Sequence, residues 1–76
     1  RAGGPRIAIA NSNVPNMVGQ ISSVLADAGI NIDDMLNRSR GELAYNLVDV
    51  SGDVSDGVLD QLRGIEGVLN VRLLPA

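Results

Sequence analysis

Three asparagines crowd one proline in ANSNVPNMVGQ, residues 10–20: Asn11, Asn13 and Asn16. A fourth, Asn31, follows Gly29-Ile30. A primary amide carries two N–H donors and a carbonyl acceptor with no net charge. Such groups can hold the carboxylate, ammonium and hydroxyl of a small zwitterion weakly and reversibly. A helix N-terminus nearby adds unpaired N–H groups that suit the carboxylate. Each asparagine also has a plainer use. Asn13 or Asn16 can cap a helix, Asn31 can be a turn residue, and Asn11 can be structural.

Other chemistry is scarce. The chain has no histidine and no cysteine, so the commonest general base and covalent nucleophile are missing. No serine has a visible base partner, and no catalytic role is expected. Asp33-Asp34 is a carboxylate pair, but neighbouring strand residues point to opposite faces, and no metal site is expected there. Arg38 and Arg40 share a strand face and read as a solvated edge. Met17 and Met35 read as core or interface filling.

The 76 residues make one thin-cored domain without disulfides, for which association with a second copy would add stability. Nine acidic residues stand against six arginines, for a net charge of −3, and Tyr45 is the only aromatic. Nucleic-acid binding needs a basic stripe or stacking aromatics, so no nucleic acid is expected. No apolar run reaches the roughly 20 residues of a membrane helix, and no membrane partner is expected. RAGGP, residues 1–5, reads as a linker tail before a domain over residues 6–76. The lack of cysteine is compatible with a cytoplasmic location.

Hydrophobic spacing then positions the asparagines. Arg6–Ala10 reads as a strand with Ile7 and Ile9 on one face. Val14, Met17, Val18, Ile21, Val24, Leu25 and Ala28 form one helical stripe, with Pro15 in the first turn and Gly29 as the stop. Ile30–Arg40 reads as a strand with a bulge near Asp33-Asp34. Gly41-Glu42 is a tight turn into Leu43–Val50, where Leu43, Tyr45 and Leu47 oppose Ala44, Asn46, Val48 and Val50. Ser55 caps a second helix, with Val58, Leu59, Leu62 and Ile65 inward. Val68–Leu74 is the last strand, with Leu69, Val71 and Leu73 on one face and Pro75 ending it. The order β-α-β-β-α-β is the ferredoxin-like α+β pattern, with two helices on one face of a four-stranded antiparallel sheet. The expected strand order is fourth, first, third, second.

The stretch from Asn13 to Met35 resembles the ACT domain, a regulatory module that senses amino acids. That family has an Asn-x-Pro-Gly-like turn before the first helix and a Gly-hydrophobe-Asn-Ile turn into the second strand. Here these are Asn13-Val14-Pro15-Asn16 and Gly29-Ile30-Asn31-Ile32. The family's common glycine is Asn16, and Asn11 stands where serine-responsive members carry histidine. The likeness runs from Arg6 to Leu74. It is strongest to the C-terminal regulatory domain of an NAD-dependent dehydrogenase of serine biosynthesis. It implies a ligand site at Asn11, Asn13, Val14, Pro15, Asn16, Ile30 and Asn31. It also implies a homodimer in which Asn13 of one subunit meets Asn31 of the other across an amino acid such as L-serine. No cofactor belongs to the domain itself; NAD would belong to the parent enzyme. A structural pairing module without ligand, or an ACT domain of another enzyme such as serine dehydratase, are the alternatives.

Overall fold

The computed structural model describes residues 4–74. Of the expected linker, residues 1–3 lie outside the described residues, as does Pro75. The elements are β1 (Arg6–Ser12), α1 (Met17–Asp27), β2 (Asn31–Arg40), β3 (Leu43–Ser51), α2 (Asp56–Arg63) and β4 (Val68–Leu74). They form an antiparallel sheet in the order β2-β3-β1-β4. The βαββαβ order and sheet arrangement are those expected from the sequence. Before β1, the Pro5 carbonyl accepts from the Val50 N–H at 3.1 Å.

Period-2 patterning decides which sheet face meets the helices. Ile7, Ile9, Val48, Val50 and Val71 point to the helical layer. They pack on Met17, Ile21 and Leu25 of α1 and on Val58, Leu59 and Leu62 of α2. Burying each such side chain fully stabilises the fold by about 1.5–3 kcal/mol. Leu43 and Tyr45 lie on the opposite, uncovered face of β3. On that face Arg6 grips Asp49 through Nε–Oδ1 at 2.7 Å and Nη2–Oδ2 at 3.1 Å. The hydrogen bond to Asp49 holds the Arg6 guanidinium pKa above its ordinary value.

The ends of the elements have local causes. The Gly29 and Ile30 N–H groups bond back to Ala26 and Leu25 carbonyls, with Gly29 at φ 74°. This is the Schellman closure, which favours glycine because φ is positive. Ser55 caps α2 by accepting from the Val58 N–H at 3.3 Å. Gly41 opens the β2–β3 turn at φ 62°.

Four details differ from the sequence expectation. β1 runs on to Ser12, because Asn11 and Ser12 pair with Ala44 and Leu43. The first helix starts at Met17, so Pro15 lies in the preceding turn. Its buried stripe is correspondingly narrow, and Val14 and Val18 are exposed. In β4, Ala10 pairs with Asn70 and Asn11 with Val68, which leaves Leu69 unpaired at a register shift and 61 % exposed. Val68 packs on the core instead. The bulge expected in β2 is present. Ile32 pairs with Val50 and Asp34 with Asp49, so Asp33 is the extra residue. That lets both Ile32 and Met35 reach the core.

Candidate functional site

The β1–α1 turn is built from backbone hydrogen bonds that sequence spacing does not reveal. The Asn13 N–H donates to the Glu42 carbonyl at 2.7 Å, and Asn13 Nδ2 reaches the Gly41 carbonyl at 3.4 Å. The turn before α1 is thereby tied to the β2–β3 turn. Asn16 is the N-cap residue of α1, in the left-handed region at φ 62°. Its carbonyl accepts from the Gln20 N–H at 3.1 Å, but its side chain makes no cap hydrogen bond. The Asn16 amide instead lies over Gly19, in the space a side chain there would need. Asparagine tolerates the left-handed conformation better than most residues, so Asn16 shapes the turn through its backbone.

Under this turn lies a hollow of about 310 Å³. Asn11, Asn13, Val14 and Asn16 line it from the turn, Met17, Val18 and Gly19 from α1, and Asn37 and Ala44 from the hairpin. Among the described residues, no ionisable side chain lines it. Asn11 is 1 % exposed and belongs to a row of amides crossing three strands. Asn11 Nδ2 donates to the Ser12 carbonyl at 2.8 Å. Asn46 Nδ2 donates to Asn11 Oδ1 at 2.8 Å, and Asn37 Nδ2 donates to Asn46 Oδ1 at 2.6 Å. Asn46 is fully buried and Asn37 is exposed at the hollow's rim. Unpaired, such buried amides would each cost about 1–3 kcal/mol. Paired end to end, they satisfy one another.

Of the residues marked in the sequence, Asn11, Asn13, Val14 and Asn16 therefore come together. Pro15 lines a separate shallow hollow with Glu66 and Gly67. Ile30 is half-buried and packs on the core. Asn31 is exposed, and its Nδ2 donates to Asp33 Oδ1 at 3.1 Å. Asp33 also accepts from the Ser51 hydroxyl, at 2.7 and 2.8 Å. Asn31 pairs with Ser51 at one end of β2, whereas Asn13 sits beside Glu42 at the other end. At about 3.3 Å per strand residue the two ends are roughly 30 Å apart. One small ligand cannot touch both within a single chain.

Asn37 and Asn46 were missed as site residues. A signal for them exists. A two-residue turn at Gly41-Glu42 pairs Arg40 with Leu43, and counting outward pairs Asn37 with Asn46. Two asparagines facing each other across a hairpin are a polar pair that needs an explanation.

This architecture, two helices on a β2-β3-β1-β4 sheet with an open turn before α1, is the ACT-domain fold. The ACT domain of GTP pyrophosphokinase from Chlorobium tepidum superposes with a TM-score of 0.77, at 22 % identity over 92 % of this chain and 95 % of that one. The regulatory subunit of aspartate kinase from Thermus thermophilus, in a ligand-free form, also gives 0.77, at 18 % identity over 95 % of this chain and 50 % of that one. In sequence the chain is similar to D-3-phosphoglycerate dehydrogenase of Escherichia coli K12, at 26 % identity over 74 residues. The match covers 95 % of this chain but 18 % of the dehydrogenase. No protein-family model matches the chain.

Proposed function

We propose that this chain is a regulatory domain that binds a free amino acid, L-serine foremost, between two copies of itself. We further propose that it serves an NAD-dependent D-3-phosphoglycerate dehydrogenase in the cytoplasm, with the oxidoreductase chemistry outside these residues. The observation that carries the reading is the neutral, amide-lined hollow at the start of α1, in a chain similar to that dehydrogenase over nearly its whole length.

The topology supports a shared site. β2 is an edge strand of ten residues, exposed along most of its length. Edge strands offer unpaired backbone groups to a second chain. Two β2 strands paired antiparallel about a two-fold axis bring the Asn31 end of one copy beside the Arg40 end of the other. That second end carries Asn13 and the hollow. A zwitterion there bridges the subunits, and its binding energy favours the paired arrangement. Ligand at 100 times its Kd stabilises the state it binds by about 2.7 kcal/mol.

A purely structural pairing module is the second reading, and one observation favours it. Both functional groups of Asn11 are already engaged within the chain. Sedimentation and calorimetry with L-serine separate the two. Sensing predicts saturable heat and tighter self-association, both reduced in Asn31→Ala. Stable dimers with no heat at millimolar serine support the structural module and reject serine sensing.

A further inference from the structure

The amide row has a direction, and one backbone carbonyl sets it. Ser12 O accepts from the Val14 N–H and from Asn11 Nδ2, each at 2.8 Å. A carbonyl can only accept, so Asn11 must turn its NH₂ toward Ser12 and its Oδ1 toward β3. Asn46 must then present its NH₂ to Asn11 and its carbonyl to Asn37. Asn37 in turn spends an N–H on Asn46. Reversing any one amide would set oxygen against oxygen or NH₂ against NH₂.

The row therefore ends in an acceptor. Asn37 Oδ1 has no donor among the described residues, and Asn37 lines the hollow. Asn13 behaves alike, spending Nδ2 on the Gly41 carbonyl and leaving Oδ1 without a donor among the described residues. Aligned hydrogen bonds polarise one another, which strengthens the terminal acceptor. Neither oxygen competes with a carboxylate, because none lines the hollow among the described residues.

Resting on the reading that this hollow takes a free amino acid, we infer that Asn37 Oδ1 is the acceptor for the ligand's ammonium group. The buried pair Asn11 and Asn46 are positioning residues that hold that oxygen outward. The hollow should then discriminate an amino acid from the hydroxy acid of the same shape. A hydroxyl is a single neutral donor, whereas an ammonium gives charge-assisted hydrogen bonds, which are about twice as strong.

The test titrates L-serine and L-glycerate into wild type, Asn37→Ala and Asn37→Gln, followed by calorimetry and by melting in circular dichroism. Wild type should prefer serine to glycerate. Asn37→Ala should weaken serine about tenfold or more, in line with loss of a hydrogen bond to a charged group, and should weaken glycerate by a clearly smaller factor. Asn37→Gln keeps both an N–H for Asn46 Oδ1 and an amide oxygen, and should recover serine binding in part. Asn37 is exposed, so both variants should stay folded. Serine binding in wild type that Asn37→Ala leaves unaltered overturns this inference and spares the functional reading. A wild type that binds neither serine nor any other free amino acid overturns that reading, and this inference with it.

Discussion

Asn46→Asp turns the direction of the amide row into a pH-dependent stability. Carboxyl and carboxamide have nearly the same shape, so packing is preserved. Protonated, the new group can donate O–H to Asn11 Oδ1 and accept from Asn37 Nδ2, as Asn46 does now. Ionised, it sets an oxygen against Asn11 Oδ1 at a site with no solvent exposure. Asn11 cannot rotate to help, because Ser12 O holds its NH₂. Full burial raises a carboxyl pKa by up to about 3–5 units, and the remaining Asn37 donor offsets part of that. A net rise of about 2–3 units, at about 1.4 kcal/mol per unit, is worth about 3–4 kcal/mol. The folded state holds the proton more tightly than the unfolded chain, whose value is about 3.9. The variant's stability is therefore fully present below about pH 4 and falls as pH rises through the folded pKa. Domains of this size have only about 4–11 kcal/mol in total, so the loss is large. The assay is urea unfolding by circular dichroism at about pH 4 and about pH 8, with wild type subtracted at each pH. A deficit equal at both pH values, or one larger in acid, refutes the directional row.

Two further outcomes follow from backbone geometry. Asn16→Gly should be neutral or slightly stabilising, whereas Asn16→Ala should cost about 1–2 kcal/mol, since alanine pays for the left-handed conformation and no side-chain cap bond is lost. Equal effects of the two substitutions in denaturant melts would contradict that account. Gly67→Ala should lower the melting temperature. A Cβ there would meet Met17 Cε at 3.2 Å and Val14 Cγ2 at 3.3 Å, and φ is 97°. An unchanged melt would show that the α1 turn yields freely.

The elements were legible because each rests on short-range chemistry. Isoleucines at spacing two, the Gly29 stop, the Ser55 cap and the Gly41-Glu42 turn need no distant partner to be read. Even the β2 bulge showed as a break in alternation at Asp33. Errors arose where a long-range pairing set the outcome. Leu69 follows the inward alternation of its strand, yet the register against β1 leaves it unpaired. Val14 and Val18 belong to the helical stripe, but Met17, Ile21 and Leu25 already fill the contact with the sheet.

The candidate site divides in the same way. The sequence by itself determined that amides gather around Pro15 at the entrance to a helix, and that residues 10–20 carry no ionisable side chain to compete with them. Tertiary structure alone decided which amides meet. β1 continues past Ala10, which swings Asn11 inward, and hairpin register brings Asn46 and Asn37 alongside it. Strand direction places Asn31 at the far end of the sheet. The reason is that a side chain's type is local, whereas its face and neighbours depend on hydrogen-bond register between strands far apart in the chain.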